Sequence, residues 1–195
     1  FIADKWHHRF RRVDAATGLI STIAGTGLAS YTGDGMAAVA SGLVSPHGVA
    51  VDGAGHVYIA DWGSSRIRKV DAATGLISTV AGTGAIAYNG DGIAATSANL
   101  RDGFDVAVDG AGHLYIAEFE GHRVRRVDAV TGLISTVAGT GVGGYNGDAI
   151  PATAARVHGP SRVAVSSLGH IYISEFGGQR IRRVDAVTGL ISTVA

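Results

Sequence analysis

The chain has 195 residues, of which 46% are hydrophobic and only 16% charged, the reverse of what a disordered segment shows. Sixteen basic and sixteen acidic residues cancel, which argues against bulk electrostatic capture of nucleic acid or of an anionic membrane. There is no Cys, so disulfides and thiolate metal centres are excluded, and no apolar run approaches the roughly 20 residues that span a bilayer. Phe1 is not an initiator Met and no signal sequence follows it, as expected of an excised, processed or designed segment.

In chain order, the first 24 residues hold part of a pattern that the rest repeats. Phe1-Ile-Ala returns as Tyr58-Ile-Ala, Tyr115-Ile-Ala and Tyr172-Ile-Ser, and Val-Asp-Ala-Ala-Thr-Gly-Leu-Ile-Ser-Thr opens at Val13 and Val70. With Val for the second Ala it opens again at Val127 and Val184, always 57 residues on. A fixed period of this length is the signature of a repeat architecture. The first complete unit reads as four strands. Gly48–Asp52 leads through an Asp-Gly-Ala-Gly turn to His56–Asp61. A four-residue loop leads to Arg66–Val70, and an Asp-Ala-Ala-Thr-Gly turn to Leu76–Gly82. Such short links force antiparallel neighbours. Val57 and Ile59 face one side of the sheet, Tyr58 and Ala60 the other, so both faces are apolar and both must be covered. A long loop follows, from Gly82 to about Arg101, with Ala-Ala-Thr-Ser-Ala-Asn-Leu inside it able to make one helical turn.

Four-stranded sheets covered on both faces and repeated around an axis make a β-propeller. A β-solenoid needs shorter coils, and a leucine-rich repeat a shorter period. The expected fold is therefore all-β: a propeller of four-stranded antiparallel blades, about four per chain. The first blade lacks its innermost strand, and the units run 1–24 (partial), 25–81, 82–138 and 139–195. An open arc would leave apolar end faces in water, which soluble monomers avoid. The chain is expected to close through a second copy of itself, two arcs making one ring. The alternatives are the remainder of a longer propeller and a tight four-bladed ring.

Gly-Val-Ala-Val-Asp, Tyr-Ile-Ala-Asp, His122-Arg-Val-Arg-Arg-Val-Asp128, Gly-Thr-Gly and Tyr-Asn-Gly-Asp-Gly together resemble NHL repeats, in the long variety of bacterial secreted proteins and of the teneurin propeller. The resemblance covers essentially all of residues 1–195. It implies a propeller of usually six blades and favours a secreted, extracellular bacterial setting. The name-giving triplet departs from the family pattern, reading His7-His8-Arg9, Ser64-Ser65-Arg66, Gly121-His122-Arg123 and Gly178-Gln179-Arg180, so no function passes through it.

The candidate ligand-binding residues are those where the repeats diverge. The start of the innermost strand reads His47-Gly48, Phe104-Asp105 and Ser161-Arg162, and the loop after the second strand carries Trp62, Phe119 and Phe176, with Lys5 in the first blade. Aromatic rings around a channel mouth grip a sugar, peptide or cation; the plainer reading is a plug between blades. Third strands carry 12 of the 16 basic residues, and because some NHL propellers bind RNA, nucleic acid is one alternative partner. The plainer reading is cross-strand ion pairing of Asp4 with Arg9, Asp61 with Arg66, Glu118 with Arg123 and Glu175 with Arg180. An NHL-type lyase holds a metal on channel histidines, so a metal-dependent enzyme is the other alternative. Here the histidines do not recur at one loop position, and no catalytic residue, metal ligand or cofactor is assigned. Asp34, Asp91 and Asp148 in the Tyr-x-Gly-Asp loops give one carboxylate each, thin for Ca²⁺ and better suited to capping a turn. Gly139–Gly144 matches GxGxxG but no long helix follows, so it is no dinucleotide site. The function expected is a non-enzymatic scaffold that binds a protein, peptide or glycan or assembles through its repeats.

Overall fold

The computed structural model describes residues 1–195 and contains only short strands and single 3₁₀ turns. The first blade has three strands, Ile2–Asp4, Arg9–Val13 and Ile20–Ala24. The second has Pro46–Val51, Val57–Asp61, Arg66–Val70 and Ile77–Ala81. The third has Gly103–Val108, Leu114–Glu118, Arg123–Val127 and Leu133–Ala138. The fourth has Pro160–Val165, Ile171–Glu175, Arg180–Val184 and Leu190–Thr193. Neighbours are antiparallel throughout, in chain order from the innermost strand outward. The fold is the propeller that the repeat predicts.

Turn chemistry explains the hairpins. Asp71 Oδ1 accepts from the amides of Ala73 and Thr74, at 3.1 and 2.9 Å, and from the Thr74 hydroxyl at 3.0 Å. Gly75 then takes φ +68°, where a side chain is strained. The same cage forms around Asp128, whose carboxyl is held down at about 2 first by the Thr131 amide.

Two further strands were not legible in the sequence. Ile93–Ala94 pairs with Leu133–Ile134, and Ile150–Pro151 with Leu190–Ile191. Each inter-blade loop thus runs along the outer edge of the blade it is about to enter. It then makes a 3₁₀ turn, Ala38–Ala40, Ala95–Ser97 or Ala152–Ala154, before the innermost strand.

Apolar side chains from both faces of each sheet collect between consecutive blades. Phe10, Ala24 and Leu43 meet Ile59 and Ile77 between the first and second. Ile67, Ala81 and Leu100 meet Ile116 and Ile134 between the second and third. Val124, Ala138 and Val157 meet Ile173 and Ile191 between the third and fourth. Each full burial of such a side chain contributes about 1.5–3 kcal/mol. The blades pack in chain order, first on second, second on third and third on fourth, with one apolar cluster at each junction. No helix is long and apolar enough to cross a membrane.

Candidate functional site

The innermost strands start with a slip in register, at Pro46/Val49, at Gly103/Asp105 opposite Ala117/Glu118, and at Pro160/Arg162. A bulge re-aims the side chains beside it, and here it turns the divergent residues onto the loop-rich face. Phe104 lies at the centre. Its ring centroid is 3.6 Å from that of His47, 6.2 Å from Trp62 and 5.2 Å from Phe119, and Phe119 continues to Phe176 at 5.9 Å. The Lys5 ammonium stands 4.5 Å over the Trp62 ring, and the Arg162 guanidinium 5.7 Å over Phe104. Phe104, Phe119, Ser161, Arg162 and Phe176 line a depression of about 400 Å³. The structure therefore brings His47, Trp62, Phe104, Phe119, Ser161, Arg162 and Phe176 to one mouth, from three blades. Phe119 also packs against Gly159 at the entry to the fourth blade, while Phe176 is 72% exposed.

Asp105 lies beneath that surface and plays a different part. Its buried carboxylate accepts from the Val163 amide at 3.0 Å, tying the innermost strands of the third and fourth blades together. It also fills the space above Gly48, where no Cβ would fit. Burial pushes Asp105 up to about 6 against the pull of that amide. His47 is pushed down to about 4, first by burial and then by the charges of Arg162 and Lys5. At neutral pH the mouth carries an uncharged imidazole and two fixed cations.

The expected ion pairs require correction. The registers are as read: Asp4 faces Arg9, Asp61 faces Arg66, Glu118 faces Arg123 and Glu175 faces Arg180. The carboxylates make their closest contacts elsewhere. Glu118 meets Arg125 at 3.4 Å and Glu175 meets Arg182 at 3.3 Å, all four side chains buried. Asp61 accepts from the Val44 amide and the Ser64 hydroxyl, and Asp4 contacts His7. Facing arginines turn outward instead, Arg9, Arg66 and Arg123 donating to the carbonyls of Thr26, Thr83 and Thr140. Burial pushes Glu118 up to about 7, Arg125 pulling the other way.

The basic stripe and the Tyr-x-Gly-Asp loops are two halves of one device. Arg68 Nη2 donates to the Gly33 carbonyl at 2.7 Å and to Asp34 at 3.0 Å, and Asp34 also accepts from Thr79. The Tyr31 ring lies 3.8 Å from the Arg66 guanidinium and 4.9 Å from that of Arg68. Tyr88, Gly90 and Asp91 hold Arg123 and Arg125 in the same way. Tyr145, Gly147 and Asp148 hold Arg180 and Arg182. The aspartates thus face a guanidinium, not the turn amides that the sequence suggested. Arg68, Arg125 and Arg182 are fully buried and present no basic surface.

Histidines serve turns and blade joints. His56, His113 and His170 accept at Nδ1 from the amides of Ala72, Ala129 and Ala186. His8 and His122 sit in left-handed backbone, φ 50°, and accept from Ser45 and Gly159 of the next blade at 3.1 Å each. No three His, Asp or Glu side chains converge on a point where a metal would sit.

Residues 13–89 match the family model of the teneurin NHL domain, and the 57-residue pattern within them recurs through the rest of the chain. A stretch of 139 residues is 27% identical to the chloroplastic protein SUPPRESSOR OF QUENCHING 1 of Arabidopsis thaliana, covering 68% of this chain and 13% of that protein. A solved structure of unknown function from Bacteroides thetaiotaomicron superposes with a TM-score of 0.71 at 22% identity, over 91% of this chain and 42% of that one. The virginiamycin B lyase of Staphylococcus aureus superposes with a TM-score of 0.53 at 12% identity, over 98% of this chain and 50% of the lyase. The chain thus spans half or less of the length of these relatives, and the likenesses establish the propeller fold.

Proposed function

We propose that this arc of NHL-type blades is a non-catalytic binding platform whose ligand lies across the row Trp62, Phe104, Phe119 and Phe176, beside Arg162 and Lys5. One observation carries the reading. Much of the 57-residue unit is copied nearly verbatim, yet the start of the innermost strand differs in every complete unit, and these positions meet the aromatic loops of Trp62, Phe119 and Phe176 at one mouth. The same fold serves a lyase, so fold alone does not decide between platform and enzyme; the make-up of the mouth supports the platform. The rings offer a continuous apolar floor on a rigid scaffold, and the two cations give it a positive edge. No acid lines the depression, and the carboxylate of Asp105, next to Phe104, is bound to the Val163 amide below. A glycan or peptide with a flat apolar face and an anionic group matches these features.

Glycan and peptide arrays, each with acidic and neutral members, test the reading, followed by titration calorimetry of the hits. Acidic members are expected to bind at least tenfold tighter than their neutral counterparts. Phe104→Ala and Phe176→Ala are expected to weaken binding at least tenfold, and Arg162→Gln to remove the preference for acid. Absence of binding across both arrays, or binding indifferent to both Phe variants, overturns it.

A further inference from the structure

His47 is the one titratable group among the divergent residues of the mouth that touches a cation. Its Nδ1 lies 3.4 Å from Arg162 Nη1, a residue 115 positions on and two blades away. A guanidinium only donates, so Nδ1 is the acceptor and carries no proton. Arg162 is held in place by the Ser161 carbonyl at 2.7 Å, and the His47 ring lies on Phe104. The Lys5 ammonium, over Trp62, also acts on the imidazole through its charge. The strands packed around the one that carries His47 bring three acids, and each is engaged elsewhere. Asp4 contacts His7, Asp61 accepts from the Val44 amide and the Ser64 hydroxyl, and Asp105 accepts from the Val163 amide. The cluster is therefore one imidazole and two cations, contributed by the first, second and fourth blades, with no carboxylate committed to it.

Taking the mouth as the binding platform described above, we propose that His47, Arg162 and Lys5 together receive a tetrahedral oxoanion of the ligand, a sulfate or phosphate ester, and that His47 takes up a proton from solvent as it binds. Three donors from three blades match an anion with three outward oxygens better than a carboxylate with two. The row of rings beside them takes the apolar part of the same ligand. On its own the mouth keeps the imidazole neutral: burial first, then the charges of Arg162 and Lys5, push it down to about 4. An anion set among these groups reverses the balance, because an opposite charge close by favours the protonated ring. The imidazolium then donates from Nδ1, where the neutral ring accepted. Arg162 exchanges its long contact with the ring for a charge-assisted bond to the anion. Since the complex holds one proton more than the free protein, binding tightens as pH falls from neutrality toward the midpoint of free His47, by up to about tenfold per pH unit.

The test titrates the whole chain, labelled with ¹³C at histidine, with inorganic sulfate, which stays dianionic across the range, and follows the ring signals by NMR. His47→Gln assigns the His47 signal, and sodium chloride at matched ionic strength is the control. Sulfate is expected to raise the His47 midpoint by at least one unit, saturably, and to leave the turn residue His56 unmoved. By calorimetry sulfate is expected to bind at least fivefold tighter at pH 5 than at pH 7.5, with proton uptake visible as buffer-dependent heat. Arg162→Gln is expected to weaken binding at least tenfold, and His47→Gln to abolish its pH dependence. Methyl sulfate and methyl phosphate are expected to compete, the tighter one naming the ester, and acetate to compete at least fivefold more weakly. An unmoved His47 midpoint, the same shift with chloride, pH dependence that survives His47→Gln, or acetate equal to the esters overturns the proposal. If array ligands still bind through Phe104 and Phe176 in that case, the platform stands without its anion site. A sulfate response in a chain that binds no array ligand keeps the anion site and removes the platform.

Discussion

The outer rim and the inner mouth are built from the same 57-residue unit and behave in opposite ways. On the rim, Tyr, Gly-Asp, Arg-x-Arg and Thr recur at fixed offsets, and the bonds they make recur with them to within a few tenths of an ångström. At the mouth, equivalent positions of the innermost strand hold His47, Phe104 and Ser161, or Gly48, Asp105 and Arg162, and only the loop position of Trp62, Phe119 and Phe176 keeps one chemistry. The rim repeats because every blade must be stapled to its neighbour by the same geometry. The mouth shares that duty only in part: Asp105 holds the Val163 amide of the next blade, while Phe176 stays 72% exposed.

Breaking the rim is expected to have the largest effect. Arg125→Ala strands two carboxylates, Glu118 and Asp91, one of them buried. The expected loss is about 3–5 kcal/mol in urea unfolding at pH 7, and a loss under about 1 kcal/mol would show that the staple is dispensable. Glu118→Gln sharpens the point through pH. The folded carboxyl sits near 7, above its ordinary 4.5, so the folded state binds more protons than the unfolded one between those values. Wild-type stability therefore falls as pH rises through that window, and the penalty is complete above it. The Gln variant is expected to gain on the wild type between pH 5 and pH 8, by on the order of 2 kcal/mol. Equal differences at the two pH values would contradict the assignment. Tyr88→Ala removes a ring lying against two guanidinia and is expected to lower stability by about 1–2 kcal/mol. At the mouth, Phe176→Ala is expected to change unfolding by less than about 0.5 kcal/mol, because that side chain is 72% exposed. A larger change would make the mouth part of the core.

Much of this was legible in the chain. Period, strand order and the registers of Asp61 with Arg66 and Glu118 with Arg123 follow from loop lengths, which are local. Phe104 stood out by divergence against a copied background, and Trp62, Phe119 and Phe176 by an aromatic recurring at one repeat position. The contacts of the third-strand arginines did not, because Arg68 reaches Gly33 and Asp34 across a blade boundary, 35 and 34 positions away. A signal was nonetheless present. Each Arg-x-Arg from the second unit on follows a Tyr-x-Gly-Asp, and only the first lacks one upstream. Two-residue strands such as Ile93–Ala94 leave no periodicity to detect, and the partner of a buried Glu is decided by side-chain length. Glu118 spans to Arg125, two positions along the neighbouring strand, and leaves Arg123 to a carbonyl.

Each apolar core lies between two consecutive units and draws on the same positions every time. The molecule therefore behaves energetically like a short one-dimensional lattice, with one coupling term per junction. Four sites give three couplings, so the end sites, held from one side only, set where melting begins. Each whole period added would bring one site and one coupling, so the share of sites held from both sides rises with length.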